Sequence, residues 1–233
     1  MTTNSRFSLS QAGWEVLFFA WVGLDILLLL PITVLLGGSF PVFTLVWLVV
    51  PLIAVLRSRD PGKVGFQPIS WGAFARTAAI AFGLFALVML LVEPWSHVYG
   101  LLIERALAEA TPDTTFAWIV RYPGWLGLLA MGLFTGLVSI FAEELFFRGW
   151  LLQLLLRHMK RWPAILLQGA LFSMSQSLAA FIFPPLQAVL WIIIYAWLGV
   201  GVIGGWATAR TGSIWPSLAS AVLMNLVLVA AIR

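Results

Sequence analysis

The chain has 233 residues, 62% of them apolar and only 9% charged, with 13 Lys and Arg against 9 Asp and Glu. So few charges cannot clothe a water-facing surface, which excludes a soluble nucleic-acid binder and a disordered tail and makes the lipid bilayer the expected surroundings and first partner. Cysteine is absent, removing disulfides, thiolate nucleophiles, Cys-ligated zinc and iron-sulfur clusters.

In chain order, a polar start carrying Arg6 leads into an apolar stretch with Glu15 and Asp25, which reads as an anchor and not a cleaved leader. Segments 14–36, 40–56, 71–92, 124–156, 163–183, 186–209 and 213–232 approach or exceed the length of one crossing, predicting an all-α, polytopic membrane bundle of about seven transmembrane helices. The fourth is longer than needed: about 50 Å at ~1.5 Å per residue, against a hydrocarbon core of roughly 30 Å, so it must tilt, break or project into water. The chain divides into 1–123, with three helices and an acidic outer loop, and 124–233, with four helices.

Basic residues set the orientation, because cytoplasmic loops carry the excess of Lys and Arg. With the N-terminus in the cytoplasm, Arg6, Arg57, Arg59, Lys63, Arg76, Arg157, Lys160, Arg161 and Arg210 all face inward, and Arg105, Arg121 and Arg233 fall outside. The outer loop 93–122 carries Glu93, Glu104, Glu109 and Asp113, and its stretch 99–110 has the character of an interfacial helix. The expected location is a bacterial inner (plasma) membrane or an equivalent organelle membrane.

Within the fourth segment, Phe141-Ala-Glu-Glu-Leu-Phe-Phe-Arg148 places three ionisable side chains in a hydrophobic helix. Each costs roughly 2.5 to 3.5 kcal/mol on insertion scales if left unpaired. Glu144 and Arg148 are four residues apart, in the order that lets carboxylate meet guanidinium on one helix face. Glu143 points about 100° away and is a surplus charge. The plain reading is an ion pair that locks helices; the sharper one is a functional site. Counted from the cytoplasmic ends of their helices, Glu143, Gln176 and Asn225 lie about 18 to 21 Å deep at ~1.5 Å per residue, so three helices can bring polar groups to one layer. Amides such as Gln176 and Asn225 also serve as ordinary interhelical hydrogen-bonders.

The run Glu143-Glu144-x-x-x-Arg148, then Phe172-x-x-x-Gln176, then Thr211-Gly-Ser-Ile-Trp-Pro216 leading to Ala221-x-x-x-Asn225, resembles the CPBP family of CAAX proteases and bacteriocin-processing enzymes, also called Abi. The family pattern is EExxxR, FxxxH and HxxxN. The resemblance implies an intramembrane endopeptidase scaffold over roughly 124–232. In it the first glutamate, here Glu143, works with the second motif's histidine to activate water, and the last histidine and asparagine hold the oxyanion. Glu144 and Arg148 would brace the site. Catalytic roles would thus fall on Glu143, Glu144, Arg148, Gln176 and Asn225, with no cofactor and no metal.

Two positions depart from that pattern. Gln176 cannot take a proton, and Ala221 offers no polar atom. The only histidines, His97 and His158, fall in predicted loops, and Ser173, Ser175, Ser217 and Ser220 have no base beside them to make a nucleophile. The expectation is therefore a catalytically degenerate protein that binds a transmembrane or prenylated protein or peptide. Active endopeptidase chemistry at Glu143 with an altered site is one alternative, and a transporter or proton relay using Asp25, Glu93 and the glutamate pair is another. No repeat between halves of the chain supports the transporter reading. Gly199-Val-Gly-Val-Ile-Gly204 matches GxGxxG literally but follows an apolar helical run with no acidic residue after Glu144, so it is not a nucleotide site. Gly132 with Gly136, and Gly201 with Gly205, are spaced for close helix packing.

Overall fold

A computed structural model of the protein describes residues 41–91, 140–176 and 185–231. All lie in the compact unit that begins at Phe40, and among the described residues every regular element is helical. The predicted first span, the outer loop 93–122 with its interfacial stretch, and the Gly132 and Gly136 pair lie outside the described residues. Six helices remain. They are α1 (Pro41–Ser58), α2 (Trp71–Leu91), α3 (141–158), α4 (Arg161–Ser175), α5 (185–211) and α6 (Trp215–Ala231). Among the described residues two helices are long and apolar enough to cross a membrane on their own: Trp71–Leu90 with mean hydropathy 2.0 and Ala188–Thr211 with 2.1. Shorter apolar stretches run over Trp47–Ser58 and Trp215–Val227.

Local chemistry sets the helix ends. After α1 the chain reverses at Arg59, whose positive φ of 52° suits a single residue leaving a helix. Asp60 then caps a short 3-10 turn, Pro61–Val64, by accepting the Gly62 N–H at 2.9 Å. Gly65, at φ 77°, closes that turn in the left-handed region where a Cβ would be strained. Ser70 starts α2, its carbonyl accepting the Phe74 N–H and its hydroxyl accepting the Ala73 N–H. α4 begins at Arg161 with Pro163 in its first turn, where a missing N–H costs nothing. α5 stops at Gly212, again left-handed at φ 71°, whose N–H bonds the Thr208 carbonyl at 2.8 Å.

α5 is the hub, packing on α2, α4 and α6, and its glycines are the reason those neighbours come so close. A Cβ on Gly201 would stand 2.7 Å from Gly169 Cα on α4, and one on Gly199 would stand 2.7 Å from the Phe85 ring on α2. A Cβ on Gly205 would meet Gln168 Oε1 at 2.7 Å, and one on Gly204 would meet Ser217 Oγ on α6 at 2.8 Å. The literal GxGxxG run is thus a set of contact points for different partner helices.

The segment between α1 and α2 does not stay at the surface. Val64 is fully buried with Leu145 of α3 and Ile214, Gly65 accepts the Ile214 N–H at 3.0 Å, and Phe66 packs its ring on Phe141 and Trp215. This wedge ties α3 to the start of α6.

Close backbone contact makes a test. Gly201→Ala pushes α4 and α5 apart and is expected to cost about 1–3 kcal/mol, as overpacking does. Gly83→Ala, where nothing stands within 4 Å of the added methyl, is expected to be neutral or to stabilise by roughly 0.5–1 kcal/mol through helix propensity. Thermal midpoints of the two purified variants in one detergent check the contrast.

Candidate functional site

The site is built on α3 where its backbone widens. Residues Glu144–Leu151 form a π-helical stretch, with the Leu152 N–H reaching five residues back to the Phe147 carbonyl. Such wide turns often mark functional positions, because they shift side chains out of the ordinary helical register.

Arg148 lies at the centre and is fully buried. Its Nη1 is 3.4 Å from Glu144 Oε1, one helical turn earlier. Its Nη2 donates to the Val200 carbonyl of α5 at 2.7 Å, and the guanidinium carbon sits 4.2 Å from the centre of the Phe172 ring on α4. One cation therefore engages α3, α4 and α5 through three different interactions. Gly204 leaves the room for it, since a Cβ there would stand 3.2 Å from Arg148 Nε. Phe147 and Phe172 meet edge to face beneath it at 5.2 Å, an arrangement aromatic rings favour.

Glu144 is almost completely buried, and the Ser217 side chain of α6 faces it. Glu143 is the more accessible of the two, and on its side of α3 it meets the Gln176 side chain at the end of α4. The surplus carboxylate thus has a neutral amide opposite it. Glu143 of α3 and Gln176 at the end of α4 are brought together. On α6 the side chains that line the cavity at Glu144 are Ser217, Ser220 and Ala221, while Asn225 is buried one turn beyond Ala221 on the same helix.

Three of the four serines near the site bond elsewhere or lie on other faces. Ser173 donates to the Ala170 carbonyl, Ser175 to the Phe172 carbonyl and Ser220 to the Ser217 carbonyl, each spending its hydrogen on its own helix. His158 is exposed at the end of α3, and His97 lies outside the described residues. The Val200 carbonyl is the partner that residue patterns could not reveal, because it is a backbone atom of an otherwise uniform apolar helix. Gly204 was visible as a glycine, but its service to Arg148 was not.

A helical bundle with an internal carboxylate pair, braced by a buried arginine beside a glycine-rich central helix, defines a class of membrane-embedded helical site. Residues 124–227, somewhat less than half of the chain, match the family described as Type II CAAX prenyl endopeptidase Rce1-like. Over this stretch the chain is similar to the CPBP family, whose Rce1-like members are membrane-embedded. No curated protein and no solved structure matches it.

The brace should outweigh the surplus charge in stability. Arg148→Ala strands Glu144 in a dry interior and is expected to cost about 3–5 kcal/mol, the range for breaking a buried pair. Glu143→Gln removes a carboxylate that competes with Glu144 for Arg148 and faces the Gln176 amide, and it is expected to be neutral or stabilising. Unfolding of the two variants in detergent checks this, and equal stability of Arg148→Ala and wild type would refute the pairing.

Proposed function

We propose that this is an integral membrane protein that keeps the scaffold of a CPBP intramembrane endopeptidase and has lost its proteolytic chemistry. Its role on this reading is to bind a transmembrane or prenylated polypeptide. The observation that carries the reading is the pair of residues at the two reactive positions: Gln176 opposite Glu143, and Ala221 in the cavity wall beside Glu144.

Peptide hydrolysis by a glutamate needs a group that shares or receives the proton of the attacking water and donors that face the forming oxyanion. A glutamine side chain donates and accepts hydrogen bonds but takes no proton, and an alanine methyl does neither. Loss of one oxyanion donor alone removes about 2.7–4 kcal/mol of transition-state stabilisation, a factor of roughly 10² to 10³ in rate. Asn225 remains as the only amide on α6 at the expected oxyanion position. The brace, by contrast, is intact, which suits a protein selected for its shape and its cavity more than for turnover.

The full chain on this reading crosses the membrane about seven times with its N-terminus in the cytoplasm, the short loops rich in Arg and Lys supporting that orientation. The membrane is a bacterial inner (plasma) membrane or its organelle equivalent. Purified wild-type protein incubated with prenylated C-terminal peptides and with transmembrane peptides is expected to yield no product above the level of Glu143→Ala, read by mass spectrometry. Robust cleavage by wild type that disappears in Glu143→Ala would establish an active enzyme instead.

A further inference from the structure

Beside the ion pair lies a small cavity walled by Phe85 of α2, Gly199 and Gly204 of α5, and Ser217, Ser220 and Ala221 of α6, with Glu144 of α3 at its side. Its volume is about 10 Å³, at the lower limit of what a single buried water needs. Two polar atoms at its wall are buried and have no hydrogen-bond partner: Glu144 Oε2 and Ser217 Oγ. Ser217 is 1% exposed, as is Glu144. The Ser217 hydroxyl lies near enough to the carboxylate to interact with it, yet no direct bond of ordinary geometry joins them.

Buried polar atoms without partners are rare in folded proteins, and those that occur usually point to bound water. We infer that this cavity is a water-binding site, in which one ordered water bridges the Glu144 carboxylate to the α6 serines. Its hydrogen bonds balance. The water donates one hydrogen to Glu144 Oε2 and accepts the Ser217 hydroxyl hydrogen. Its second hydrogen goes to Ser220 Oγ, which is free to accept because Ser220 gives its own hydrogen to the Ser217 carbonyl at 2.8 Å. Every hydroxyl in the wall is then used once as a donor, and the carboxylate gains the partner that Arg148 leaves it lacking.

The site exists because of the small residues around it. Gly204 has no side chain to fill it, and Ala221 stops at a methyl where a larger side chain would take the space. The bridge joins α3 to α6 through Glu144, which the Arg148 contacts to α4 and α5 do not do. This inference stands on cavity and hydrogen-bond geometry and holds whether or not the protein cleaves peptides.

X-ray radiolytic footprinting in ¹⁸O-labelled water reads it directly, since side chains next to a bound water are oxidised even when bulk solvent cannot reach them. Phe85 is the reporter. Wild type in detergent is expected to show ¹⁸O incorporation at Phe85, lost severalfold in Ala221→Leu, which fills the cavity, with Phe172 unchanged in both. Should Ala221→Leu fail to fold, a density map of wild type at a resolution that shows waters decides the matter. One peak within hydrogen-bond distance of Glu144 Oε2 and Ser217 Oγ supports the site. Phe85 oxidation equal in the two proteins, or a Ser217 hydroxyl bonded straight to Glu144 with no peak between, overturns it.

Discussion

A guanidinium cannot sit inside an apolar bundle unless the surrounding atoms replace what water gave it. The effective cost of removing each ion from water is several kcal/mol, repaid only by close and numerous partners. Arg148 meets part of that demand with a carboxylate from its own helix, a carbonyl from α5 and an aromatic face from α4, while its Nε and Nη1 make no hydrogen bond. The rest of the arrangement follows from accommodating it. Gly204 must lack a side chain, Phe172 must present its face, and the Val200 carbonyl must turn toward α3. Further along α3, Gly149 must also be bare, because a Cβ there would press on the Val64 carbonyl of the wedge between α1 and α2. The buried ion pair and the residues beside it therefore bring four segments of chain together.

Bracing and reactivity are separable in this architecture. The pair that braces faces inward between α3, α4 and α5, while Glu143 faces the end of α4, where Gln176 waits. The positions on the Glu143 side lie outside the brace, because the energetic penalty for disturbing Arg148 is one of folding, whereas Gln176 meets Glu143 and not the buried guanidinium. Ala221 lines the cavity at Glu144 beside an ion pair that is in place.

Much of this was legible from residues alone. Spacing paired Glu144 with Arg148 because i, i+4 neighbours on a helix must meet, and the structure pairs them. Hydropathy found α2 and α5 because each is a long uninterrupted apolar run. Packing glycines at 201 and 205 were likewise readable from their four-residue spacing. What stayed hidden is the work of backbone and of tertiary depth. The Val200 carbonyl has no side-chain signature. The burial of Val64, in a short segment flanked by Arg59 and Lys63, contradicts the ordinary expectation that a charged connection lies in water.

The claim on which all of this rests is that Glu144 and Arg148 are stabilising as a pair and costly as individuals. A double-mutant cycle in detergent, with Glu144→Gln, Arg148→Met and the combination compared with wild type in free energy of unfolding, measures that coupling without reference to any activity. Each single variant leaves a polar group in the interior with its main partner altered, and the double variant removes both charges together. The account predicts that the double variant is more stable than the sum of the single losses allows, with a coupling of about 1–3 kcal/mol, the range for residues in contact. Losses that add to within about 0.5 kcal/mol, as for independent sites, would mean that the two charges do not depend on one another and would contradict the account.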